Sequence, residues 1–360
     1  MNTTLKHWKE AATLILAAGR GRGFTPRAPS LFDYGVLLLK RSGKSGFMPN
    51  AYVFPGGVVD ASDFSSDVKQ PLETRPPIFA TDRLKLGSPI PGEVALRICA
   101  LRETFEESGV LLVAPKIEEK KMLKSIKDLG YIERYGVNDL CSSELTKWRA
   151  LVNQNPSNFI RMCRELQVLP DIWALHEWGN WLTPAGRYGT TRFDTAFFIC
   201  CLQEIPHTLQ DDKEIERFQW STPSEILQSY QAQELWIAPP QFYELSRLCR
   251  FPLLNDLHNF ASQRATAGCE QWMPVVVSND EHHISLLPGD KLYPVDSPRD
   301  SEAAKSTAPQ SKDHQDASPL HRIVISDPYT LRVQITITPK YNHVLPVAHS
   351  AVSHDSKSQL

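Results

Sequence analysis

The chain of 360 residues is 41% apolar and 22% charged, enough for one large or two ordinary soluble domains with a buried core. Its formal net charge of -2 argues against a broad nucleic-acid or anionic-membrane surface, and no apolar run reaches the roughly 18–20 residues that span a bilayer. The seven cysteines are odd in number and form no Cys-x-x-Cys pair, which argues against a zinc site or a disulfide framework and fits a reducing compartment.

In chain order, Ala11–Ala18 (AATLILAA) reads as a first buried strand, because the Gly-Arg-Gly-Arg-Gly behind it offers no signal-peptide cleavage site. Tyr34–Leu39 and Tyr52–Phe54 read as further strands, the latter broken by Pro55-Gly56-Gly57. Residues 61–92 are polar and proline-bearing and read as an inserted loop. A helix is expected from Glu93 to Ser108, closed by Gly109 as a left-handed cap. Residues 115–170 are mostly helical in pattern, with turn and cap chemistry at Asn155-Pro156-Ser157-Asn158. From Trp173 the pattern returns to β and ends in Thr195–Leu202 (TAFFICCL), a run suited to a central strand. Ser221-Thr222-Pro223 starts a helix and Gln241–Cys249 forms another.

Residues 1–265 are thus expected to form one domain and 266–360 a C-terminal extension. The extension combines a disordered loop at 296–318, poor in large apolar side chains, with a β-hairpin over 320–346. The chain closes on Ser358-Gln359-Leu360, similar to the Ser-Lys-Leu peroxisomal address. A peroxisomal location, reached through an import receptor, is the expectation; a mitochondrial one stays open.

Chemistry concentrates on the Glu93–Val110 helix. At about 100° per residue, Glu103, Glu106 and Glu107 share one face, with Val94, Ile98, Leu101 and Phe105 nearly opposite. Like charges at these spacings cost a few tenths of a kcal/mol per pair, and the C-terminal end of a helix disfavours glutamate. No lysine relieves them, and Arg102, one position aside, is expected to neutralise only one. Either the face is solvated, as charge runs usually are, or a hard divalent cation offsets the repulsion. His176, amid apolar residues, reads as a packed side chain.

Arg102-Glu103-Thr104-Phe105-Glu106-Glu107-Ser108-Gly109-Val110 resembles the second half of the Nudix box, G-x5-E-x7-R-E-U-x-E-E-x-G-U. Gly57 matches its opening glycine, but lies 102 − 57 = 45 positions before Arg102 rather than 14, so the box is interrupted. Counting back from Arg102 puts the remaining glutamate at Val94, with Glu93 one position off, so that role stays unassigned. The Leu37–Ser42 and Phe54–Asp60 stretches, with Trp181–Pro184, Arg192–Phe198 and Trp220–Pro223, are similar to the coenzyme A-cleaving branch of the Nudix hydrolases.

That resemblance implies an α/β/α sandwich with a mixed sheet, an interrupted box and a helical insertion. It implies Glu103 and Glu107 as ligands of Mg²⁺ or Mn²⁺, Glu106 as a further ligand or the group that orients water, and Arg102 as the clamp that fixes the glutamates. Glu214, in the acidic stretch before Trp220, is the candidate general base, against a plain surface turn. Lys40, Arg41 and Lys44 are candidates to bind the 3′-phosphate, against a solvated basic loop. The implied reaction is hydrolysis of coenzyme A or acyl-coenzyme A to 3′,5′-ADP and (acyl-)4′-phosphopantetheine. The alternatives are a Nudix pyrophosphatase for another nucleotide diphosphate, or a non-catalytic module that binds nucleotide or RNA.

Overall fold

The computed structural model describes residues 8–21, 30–65, 90–115, 142–184, 191–210, 214–278, 283–294 and 318–347. The bulk of the loops expected at 61–92 and 296–318, part of the helical insertion, and the Ser358-Gln359-Leu360 tail lie outside these residues.

The expected first strand is β1 (Trp8–Gly19), whose residues from Leu14 onward are all buried. It pairs in parallel with β8 (Arg192–Leu202), from Trp8↔Arg192 to Ala18↔Leu202. That pairing makes TAFFICCL the central strand its continuous apolar run predicts. On its other side β1 takes two antiparallel partners, β2 (Tyr34–Arg41) near its end and β4 (Gly56–Val58) near its start. The sheet continues from β8 to β7 (His176–Leu182) and β10 (Gln271–Trp272), and from β2 to β3 (Tyr52–Val53) and β9 (Ile215–Ser221). It is therefore an eight-stranded mixed sheet.

Alternation along each strand builds two cores. Leu14, Leu16, Leu37, Leu39 and Phe198 pack with α1 (Gly92–Ser108), α2 (Ser142–Gln154) and α3 (Asn158–Glu165). Ile15, Ala17, Val36, Leu38 and Ile199 pack with α4 (Pro223–Gln231), α5 (Pro239–Leu248) and α6 (Leu254–Gln263). Each fully buried large aliphatic side chain contributes about 1.5–3 kcal/mol, and the result is the expected α/β/α sandwich. The helix-start signals act as the sequence suggests. The Thr222 hydroxyl accepts from the Glu225 N–H at 3.2 Å, and the Glu225 carboxylate accepts from the Thr222 N–H at 3.0 Å, with proline in the first turn. A short ladder of β5 (Val113–Pro115) and β6 (Val168–Pro170) pairs the two ends of the helical insertion.

A second, antiparallel sheet has the order β11 (Val275–Ser278), β12 (His283–Leu286), β13 (His321–Asp327) and β14 (Thr330–Ile335). Its Ile323 and Leu331 join the core of α4 and α5, and the Tyr230 hydroxyl donates to Pro328 O at 2.7 Å. Strand structure in the expected hairpin ends at Ile335. β10, within the stretch assigned to the C-terminal extension, instead closes the edge of the main sheet through Trp272↔Trp181.

Candidate active site

Helix α1 is wedged between the sheet and the insertion helices, and of its seventeen residues only Glu103 and Glu106 are not fully buried. The solvated acidic face is thereby excluded. Gly109 closes the helix at φ 72°, its N–H donating to Phe105 O at 2.9 Å. The carboxylates meet the turn between β3 and β4, where the Gly56 N–H donates to Glu107 at 2.9 Å. A Cβ added to Gly57 would overlap the Glu103 carboxylate, so glycine is the residue that lets helix and turn approach.

Arg102 organises the cluster more widely than the sequence suggests. It grips Asp63 through Nε and Nη2 at 2.8 and 2.9 Å. Its Nη1 donates to Glu103 at 2.7 Å and Glu106 at 2.9 Å, and Nη2 donates to Val58 O at 3.2 Å. One guanidinium therefore holds three carboxylates, where the sequence suggested one. Asp63 is the residue that sequence reasoning missed. Residues 61–65, expected as the start of the insertion, include a 3₁₀ turn over Ala61–Phe64 capped by Asp60, and that turn delivers Asp63. The signal was available: counting forward from Gly57, 57 + 6 = 63, puts an acid at the box position that the backward count could not fill. Glu93 is not that residue, since it is buried in an ion pair with Arg97 at 3.3 Å.

Crowding shows in the titration of the glutamates. Burial pushes the Glu103 carboxyl up to about 7, with Arg102 pulling it down and Glu106 pushing it further up. Glu106 is raised by burial against the Arg102 contacts. Glu107 is raised strongly by burial and by the Glu103 charge, and the Gly56 N–H offsets only part of it. A set of largely buried carboxylates that outnumber the one guanidinium among them is the donor chemistry a hard divalent cation takes, so the residues present fit such an ion. Among the described residues no three potential ligands converge on one point. Glu103 and Glu106 each give one carboxylate oxygen to Arg102 Nη1.

These groups line one end of a cavity of about 580 Å³. Glu214, candidate base, lies on its wall with Glu106 and Glu107. Of the three candidate phosphate-binding cations the structure brings only Arg41 to the cavity, braced by the Ser45 hydroxyl at 2.9 Å. Lys40 pairs with Glu216 at 3.0 Å and Lys44 is exposed. Neighbours on a strand leave on opposite faces, and Lys40 is engaged with Glu216 while Arg41 lines the cavity. His176 is buried against the ring of His258, as a packed histidine. The cavity wall also carries apolar side chains, among them Trp181, Phe193 and Phe197. The six cysteines among the described residues are thiols outside any disulfide, and no helix there is long and apolar enough to cross a membrane.

The sequence matches the family described as NUDT19 Nudix domain over residues 8–70 and 66–248, and the NUDT19 C-terminal domain over 276–336. It is 46% identical to the acyl-coenzyme A diphosphatase NUDT19 of Gallus gallus, with all of both chains covered. The Xenopus laevis protein of that name is likewise 46% identical with full coverage of both. The Homo sapiens one is 39% identical over 94% of each chain. Among solved structures, a Nudix hydrolase from Alicyclobacillus acidocaldarius shares the fold with a TM-score of 0.51 and 22% identity, covering 71% of this chain and 97% of that one.

Proposed function

The chain belongs to the NUDT19 family of Nudix hydrolases, and from that premise we propose that it hydrolyses the diphosphate bond of coenzyme A and acyl-coenzyme A. Water adds across the P–O–P link to release 3′,5′-ADP and (acyl-)4′-phosphopantetheine. The observation that carries this reading is the gathering of Glu103, Glu106 and Glu107 against the Gly56-Gly57 turn, at the head of a cavity that turns apolar away from them.

Nudix hydrolases work with divalent metal, and here we assign Mg²⁺ or Mn²⁺ to Glu103 and Glu107, with Glu106 as a further ligand or as the group that orients water. When bound, the ion neutralises charge on the diphosphate and acidifies a water. The protein's own residues do the rest. Asp63 and Arg102 fix the helix carboxylates by charge-assisted hydrogen bonds. The Gly56 N–H orients Glu107. Glu214 faces the same space and takes the proton of the attacking water. Arg41 meets the 3′-phosphate of the nucleotide half.

A substrate panel under one metal condition tests the assignment. Coenzyme A and its esters should be cleaved at least tenfold more efficiently than dephospho-coenzyme A, nucleotide sugars or dinucleoside polyphosphates. Equal or better cleavage of the others would overturn it. We also assign the protein to the peroxisome through Ser358-Gln359-Leu360 and an import receptor that reads it. Removing the three residues should leave a tagged protein in the cytosol, and unchanged import would refute that.

A further inference from the structure

The apolar end of the cavity is built by two parts of the chain. Its floor can be followed strand by strand through paired residues. Gly56 on β4 pairs with Thr13 on β1, and Thr13 pairs with Phe197 on β8. Thr195, two residues back on β8, pairs with Trp181 on β7, and Trp181 pairs with Trp272 on β10. Thr13, Phe197, Thr195 and Trp181 all line the cavity. Four strand intervals of about 4.8 Å separate the catalytic turn from the β10 edge, a path of roughly 19 Å.

Beyond that edge the wall passes to the C-terminal sheet and its lead-in, which supply Pro274, Val276 of β11, Ser285 of β12 and Ile325 of β13. Val276 and Ser285 are direct cross-strand partners, and one strand, β12, separates β11 from β13. Three of these four side chains are apolar. Where a cavity ends against apolar side chains, an apolar ligand gains about the transfer free energy of each methylene it buries there.

We propose that the C-terminal sheet is the acyl-selectivity wall of the enzyme, with Val276 and Ile325 contacting the fatty-acyl chain of the substrate. The proposal rests on the coenzyme A diphosphatase reading given above, and it adds where the acyl group goes. With the diphosphate held at the glutamates, an extended pantetheine arm reaches roughly 15 Å, about the span of four to five extended residues. Its thioester then lies near Trp181 and β10, and the acyl carbons that follow meet Pro274, Val276 and Ile325. On this account longer chains make more contact with the C-terminal sheet, while free coenzyme A makes little.

The test uses the full-length protein with Mg²⁺ and compares kcat/KM for free, acetyl-, octanoyl- and palmitoyl-coenzyme A in wild type, Val276→Glu and Ile325→Ala. The readout is the ratio of long-chain ester to free coenzyme A within each protein, so a general loss of activity cancels. Val276→Glu puts a charge in the apolar wall and should lower the palmitoyl ratio tenfold or more. Ile325→Ala, the milder change should the first fail to fold, should lower it about fivefold, with smaller effects on octanoyl and least on acetyl. Ratios within twofold of wild type in folded variants would overturn the acyl wall while leaving the diphosphatase assignment intact. Wild-type protein that cleaves no coenzyme A species would sink the assignment and this inference together.

Discussion

Two buried arginines, Arg102 and Arg247, stand in contrast. Arg247 pairs with a single buried carboxylate, Glu244, at 2.9 Å, and that carboxylate also accepts the indole N–H groups of Trp178 and Trp181 at 2.8 Å each. Its Nε donates to Val344 O at 3.0 Å, tying the last described segment to α5. Charge is balanced one to one, and the carboxylate's acceptors are filled. Arg102 instead faces Asp63, Glu103 and Glu106, with Glu107 beside them. There the negative charge exceeds the positive, and the glutamate protonation equilibria are displaced upward. A buried ionic cluster that neutralises itself is costly to break by removing one partner; one whose carboxylates outnumber its cation beside a cavity is arranged for something that arrives later.

The contrast makes separable predictions. The largest effect belongs to Glu107→Gln, which should lower turnover about a thousandfold, equivalent to about 4 kcal/mol of barrier. Its melting temperature should hold or rise, since an uncharged amide relieves the repulsion; calorimetry beside the assay checks both. Arg247→Met should do the reverse, costing about 3 kcal/mol in urea denaturation because Glu244 is left buried and unpaired, with turnover per folded molecule largely kept. A thousandfold activity loss there would erase the distinction between the clusters. Gly57→Ala comes next, since the new methyl displaces the Glu103 carboxylate. It should lower kcat/KM by roughly ten- to a hundredfold, about 1.4–2.7 kcal/mol.

The smallest effect is in pH. Glu103 has its folded pKa raised from 4.5 to about 7, so the folded metal-free protein holds a proton that the unfolded chain releases. Its contribution to stability is fully present below about 4.5 and is lost as pH rises through about 7. Metal-free protein should therefore melt lower at pH 8 than at pH 6, and a divalent ion needs the ionised carboxylates. The melting shift on adding Mg²⁺ should be larger at pH 8. A shift that shrinks with rising pH would mean the glutamates do not hold the ion.

Much of this was legible in the chain because the signals were local. The TAFFICCL run, the Gly109 cap, the Thr222–Glu225 cap and the glutamate face each depend on a dozen residues or fewer. Asp63 was missed because the box was counted backward across an insertion, and the spacing survives only on the glycine side of it. Lys40 and Arg41 were grouped because both are basic, although strand alternation already parts them. The contribution of Val276, Ser285 and Ile325 to the cavity was not readable. It depends on the β10 pairing Trp272↔Trp181 and on strands from distant parts of the sequence lying edge to edge, which no local pattern encodes.

The most direct test of the central claim is mass spectrometry of the products formed from coenzyme A by wild-type and Glu107→Gln protein of equal melting temperature, with Mg²⁺ and with EDTA. The account predicts 3′,5′-ADP and 4′-phosphopantetheine from the wild type only when metal is present, and none above background from the variant. Products that persist in EDTA, or a variant that keeps more than about a tenth of wild-type turnover, only about 1.4 kcal/mol of barrier, would contradict it.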